Sequence, residues 1–165
     1  MKPTLQKLFL PLMAALALAA CEPADGPFVE MTGGGFQFNY RIAEATYTMV
    51  ATSRRKVPEG TLFVAEFEDP SNPLPDGAPL VAELVSRAGQ TRFALSSPPV
   101  TGVVADRDYT VVLTLKAADG SLIETHRKTY SSKIGSEVLP SRPLTIGPGY
   151  TPNPDASVDA DTAPE

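Results

Sequence analysis

Residues 108–131 read DYTVVLTLKAADGSLIETHRKTYS, two runs of alternating character joined through Ala118-Asp119-Gly120. In the first run Tyr109, Val111, Leu113 and Leu115 share one face, opposite Thr110, Thr114 and Lys116. That period of two marks a half-buried strand. Two registers compete for the return run. A two-residue Asp119-Gly120 turn sets Leu115 against Glu124, Leu113 against His126 and Val111 against Lys128. Polar groups then share the apolar face, at more than about 1 kcal/mol each if unpaired. A three-residue loop, 118–120, shifts the pairing by one residue and flips the second strand. Gly120 supplies the left-handed residue that such loops need. The three-residue loop is therefore expected, with Leu115 facing Ile123, Leu113 facing Thr125, Thr114 facing Glu124, and His126 on the solvent side beside Val112.

The same texture extends outward from this hairpin. FQFNYRI (36–42), ATYTMVATS (45–53), TLFVAEFE (61–68), PLVAELVS (79–86) and TRFALS (91–96) are short patterned runs separated by turn residues. LTI at 144–146 offers a further edge, and VAELVSRA (81–88) is the one stretch that also fits a turn or two of helix. Short strands at regular spacing predict an all-β chain: a single β-sandwich domain of about seven antiparallel strands, transthyretin- or immunoglobulin-like.

Ahead of the strands lies a segment of another kind. MKPTLQKLFLPLMAALALAA begins with Lys2 and Lys7 and carries no charge from Leu8 to Ala20. A positive start, a short apolar run and small residues describe a secretory signal peptide over residues 1–20. A spanning helix needs about 20 apolar residues, more than this run has. Leu18-Ala19-Ala20 is followed by Cys21, the only cysteine of the chain. Leu-Ala-Ala-Cys resembles the lipobox of bacterial lipoproteins, which implies a lipid-modified Cys21 as the mature N-terminus. Acyl chains on that residue would hold the protein on the membrane, since two chains suffice where one is marginal. Glu22 in place of Asp then points to the outer membrane, with the protein facing the periplasm.

Removing residues 1–20 leaves 145 of the 165 residues, with 12 basic against 19 acidic side chains and a formal charge of −7. The excess acid lies outside the strands, in residues 22–35 and 147–165. Residues 21–35, ending in Gly33-Gly34-Gly35, are expected to be a lipidated flexible tether, 36–146 the sandwich, and 147–165 a disordered acidic, Pro-rich tail. The basic face that nucleic acid requires is missing from this pattern.

Catalytic and metal-binding patterns are sparse. His126 is the sole histidine, Asp106 and Asp108 flank Arg107 in what reads as a loop, and the triple glycine lacks the Lys-Ser/Thr ending of a phosphate loop. No enzyme and no cofactor is expected. Arg54-Arg55-Lys56 is the densest positive patch. It reads as a solvated loop, or as a contact for lipid headgroups or an acidic partner segment.

The run VATSRRKVPEGTLFVAEFEDPSNPLPDGAPLVAE, with Val57-Pro58-Glu59-Gly60 before a strand and Asp69-Pro70-Ser71 after it, resembles the YscW/YbaY-type lipoproteins. DYTVVLTLKAADGSLIETHRKTY resembles the same family's Tyr-led hairpin. Together the likeness spans residues 48–131. Val57 stands where Leu is usual, and the strand around 36–42 and the acidic tail have no counterpart. The resemblance implies an outer-membrane β-sandwich lipoprotein that binds a polypeptide partner such as a secretin, as the pilotin branch does. A lipoprotein of envelope maintenance, binding a glycan or lipid, is the alternative.

Overall fold

The computed structural model describes residues 26–73, 75 and 77–156. Its strands are β1 (Val29–Asn39), β2 (Glu44–Ser53), β3 (Leu62–Phe67), β4 (Leu80–Val85), β5 (Arg92–Ser96), β6 (Tyr109–Lys116), β7 (Leu122–Tyr130), β8 (Thr145–Ile146) and β9 (Thr151–Pro152). Two antiparallel sheets of order β1-β2-β5 and β4-β3-β6-β7 face each other, and β8-β9 forms a separate two-stranded sheet. The chain is an all-β sandwich. Relative to the constant-type immunoglobulin order, the fourth strand has left the first sheet and joined the second. Among the described residues no helix is long and apolar enough to cross a membrane.

Alternation builds the core. Tyr47, Met49 and Ala51 from β2 meet Phe63, Ala65 and Phe67 from β3 and Val111, Leu113 and Leu115 from β6, all fully buried. Phe63 of the second sheet stacks on Phe93 of the first with ring centres 4.1 Å apart. Each such side chain contributes about 1.5–3 kcal/mol by leaving water. The two fully buried tyrosines among the described residues find partners for their hydroxyls. Tyr47 donates to the Glu68 carbonyl. Burial pushes its phenol well above the ordinary range, and the carboxylates of Glu68 and Asp69 push the same way. Tyr109, first residue of β6, accepts the Val104 N–H at 2.8 Å. That bond is the tyrosine corner of Greek-key sandwiches.

The structure moves two expected boundaries. The tether forecast for 21–35 is too long, because β1 starts at Val29 and takes in all three glycines. At the middle one a side chain is sterically barred. Gly34 has φ +140°, and a Cβ there would lie 2.2 Å from the Thr48 carbonyl oxygen and 2.7 Å from the Tyr130 ring. The tail expected from residue 147 instead continues as ordered chain. Thr151 and Pro152 pair with Ile146 and Thr145, and the Thr145 N–H donates to the Arg41 carbonyl at 3.0 Å. The strand expected at 79–86 is β4, and the turn or two of helix that 81–88 also fits does not form. The signal peptide, Cys21 and residues 157–165 lie outside the described residues.

The hairpin corrects the expected register in an instructive way. Its loop is the three-residue one: the Ala117 N–H donates to Ser121 at 2.8 Å, and Gly120 takes φ +85°. Lys116 then pairs with Leu122, but Leu115 pairs with Glu124, so Ile123 is an extra residue. This bulge reverses the face of everything beyond it. Leu113 consequently faces His126, and Val111 faces Lys128. Glu124, His126 and Lys128 all turn inward, against expectation.

Candidate functional site

The inward polar residues of β7 explain themselves at the flank where β7 meets β1. β1 is paired with β2 on one side only, so its other edge carries unsatisfied backbone groups. Glu124 accepts the Phe28 N–H at 2.9 Å and the Val29 N–H at 3.1 Å. Lys128 Nζ donates to the Met31 carbonyl at 2.8 Å, and Tyr130 donates its hydroxyl to the Gly33 carbonyl at 2.9 Å. Three side chains of one sheet thus close the edge of the other. Burial raises the Tyr130 phenol above its usual range. Glu124, Lys128 and Tyr130 are not orphans, because each is paired with the backbone of this edge.

The opposite flank is open. β4 and β5 are the terminal strands there, and among the described residues no hydrogen bond joins them. The Ser86 N–H donates to Thr61 at 2.9 Å, next to the ladder between β4 and β3. Hydrogen-bonded pairs alternate with non-bonded ones in such a ladder. Leu84, Ala82 and Leu80 therefore spend their backbone groups on β3, while Val85, Glu83 and Val81 direct theirs into the open flank. Val81 and Val85 are 47% and 58% exposed, and Leu80, Ala82 and Leu84 only partly cover the core beneath. At the end of this strand an open depression of about 860 Å³ is lined by residues 84–90. The result is an unpaired edge with apolar side chains on both of its faces. An edge of this kind accepts another strand.

The basic patch sits elsewhere, at the end of the sandwich where β1 begins. The Arg54 N–H donates to the Phe28 carbonyl at 2.8 Å, and the Arg54 side chain pairs with Glu30. The Arg55 guanidinium lies 3.5 Å over the Phe28 ring, and Lys56 is exposed. The structure thus holds all three residues in one loop beside Phe28, without placing them along the β4 edge. The same end carries Arg87 in the β4–β5 turn, Arg92 and Lys116, against Glu59 and Asp119. The other end is net acidic, with Glu44, Asp69, Asp108 and Glu137 against Arg41, around the Lys133–Asp106 and Arg107–Glu68 pairs. The domain is electrically polarised along its strands.

His126 faces inward with Nε2 at 3.1 Å from Glu124 Oε1, but without the alignment of a hydrogen bond. Both oxygens of that carboxylate already hold backbone amides. Asp106 takes a left-handed φ of +59° and pairs with Lys133 Nζ at 2.6 Å, so it shapes its loop. Among the described residues no three His, Cys, Asp or Glu side chains cluster as a metal site would require. Glu124, Lys128 and the β4 edge escaped the sequence reading. Only the inside-out polarity of LIETHRKTY hinted at the first two. No protein-family model matches the chain, and no curated protein matches it in sequence.

Proposed function

We propose that this protein is a membrane-anchored, non-enzymatic binding protein that captures an extended polypeptide by adding it as a strand to β4. One observation carries the reading: one flank of the sandwich is sealed by Glu124, Lys128 and Tyr130, while the other leaves Val81, Glu83 and Val85 unpaired. Backbone pairing would supply the affinity, and alternate pockets over Leu80, Ala82 and Leu84 would select apolar side chains on the client. The lipobox-like Leu18-Ala19-Ala20-Cys21 supports an outer-membrane lipoprotein facing the periplasm. The likeness of residues 48–131 to YscW/YbaY-type lipoproteins supports a client such as a secretin subunit. In this reading the chain acts as an assembly factor, with no cofactor and no turnover.

The test is a proline at the edge. Glu83 points its N–H away from β3, so Glu83→Pro removes a docking donor while leaving the ladder intact. A photo-crosslinker at position 81, in full-length protein expressed in its envelope, should trap a polypeptide that Glu83→Pro no longer traps. Deleting the gene should then deplete the multimer of that client. An envelope that instead becomes permeable with every multimer intact, and a protein that retains a glycan or lipid, would support the envelope-maintenance alternative.

A further inference from the structure

The basic end of the domain has a definite relation to the chain that leads into it. Phe28 is only seven residues beyond Cys21, a length that reaches at most about 25 Å fully extended. Phe28 is itself fastened into the basic loop, through its carbonyl to the Arg54 N–H and through its ring to Arg55. The acidic end lies beyond Asn39, eleven strand residues or roughly 35 Å further on. A leash this short, leaving from one end, keeps that end toward the surface.

What this end presents suits a bilayer. Lys56, Arg87 and Arg92 are exposed, and Leu122 is 67% exposed, the largest value among the exposed large hydrophobic residues described. Leu122 pairs with Lys116, which pairs in turn with Leu62 at the close of the basic loop. Cations and a protruding leucine therefore share one rim, where Lys56, Arg87, Arg92 and Lys116 outnumber the exposed Glu59 and Asp119. We infer that this rim rests on acidic phospholipid headgroups of the leaflet that holds the anchor, with Leu122 dipping into the interface, so that β4 runs up from the membrane with its free edge open to a client beyond the rim. The inference rests on the reading of Cys21 as the anchor. Near an anionic surface each Lys or Arg adds roughly fivefold to the local attraction. The attraction fades within a Debye length of about 8 Å at physiological salt, so only the rim would feel it.

The experiment uses full-length protein purified from membranes and reconstituted into nanodiscs of phosphatidylcholine alone or with 30% phosphatidylglycerol, an arbitrary working fraction of about one lipid in three. Intact mass reports separately whether Cys21 carries acyl chains. If it carries none, the anchor reading fails and the same two lipid compositions are compared as added vesicles. Backbone amide exchange over residues 53–60 and 117–122 is expected to slow severalfold with the anionic lipid. The slowing should vanish in high salt and in a Lys56→Gln, Arg87→Gln, Lys116→Gln variant, whose changes avoid Arg55 and the core. Equal exchange on both lipids, or slowing at residues 39–43 instead, overturns the inference.

Discussion

Replacing Glu124 with Ala should destabilise the domain by about 2–4 kcal/mol, whereas Thr125→Ala next to it should change stability by no more than about 0.5 kcal/mol. Glu124 is inward, with a side chain 15% exposed, and it accepts two backbone N–H groups at the start of β1. A hydrogen bond to a charged acceptor is worth about 1.5–3 kcal/mol, and a donor stranded by truncation costs about 1–3 kcal/mol. Val29 is fully buried, so its N–H has little water to turn to; Phe28 is partly exposed and recovers some solvation. The sum falls short of two full bonds for that reason. Thr125 points to solvent. At roughly 4 °C per kcal/mol for a domain of this size, Glu124→Ala should melt about 8–16 °C lower. Urea unfolding followed by tyrosine fluorescence measures both variants, since the chain has no tryptophan. In the unbulged register the roles are exchanged and Thr125 faces Leu113. A costly Thr125→Ala beside a neutral Glu124→Ala would therefore refute the bulge at Ile123 and the sealed flank together.

Gly34→Ala should cost more than about 1 kcal/mol, because φ +140° and the Thr48 carbonyl both oppose a side chain, while Gly33→Ala, whose Cβ would meet only Val50 at 4.0 Å, should cost less; thermal melts compare the two. Tyr109→Phe should lower stability by about 1–3 kcal/mol by stranding the Val104 N–H, read from urea midpoints at an unchanged slope. Cells fed labelled palmitate should label the wild-type chain and leave Cys21→Ser unlabelled; equal labelling of the two would remove the anchor.

Most of the sandwich is legible in the sequence because its inner strands obey strict alternation. Residues 45–53, 61–68 and 108–117 read as strands and fold as strands within a residue or two, each burying every second side chain. The errors fall where a strand serves an edge instead of the core. β7 carries Glu124 and Lys128 inward because their partners are backbone groups of β1, nearly a hundred residues away in sequence. A pairwise test against β6 alone cannot register that compensation. The glycines of β1 read as a leash because what demands glycine at Gly34, the Thr48 carbonyl of the paired strand and the Tyr130 ring of the facing sheet, is visible only once the strands are paired and the sheets packed. The β4 edge was invisible for a related reason. Val81, Glu83 and Val85 look like any strand face until the sheet order shows that nothing follows them.

Strand addition is tested most directly by amide exchange on β4 with the cross-linked client bound. The N–H groups of Val81, Glu83 and Val85 should exchange fast in the free protein and become protected in the complex, while those of Ala82 and Leu84, already spent on β3, change little. Glu83→Pro should fold normally and show no protection at Val81 or Val85. A client that leaves all three amides exposed, or that protects the β1–β7 flank instead, would contradict capture at this edge.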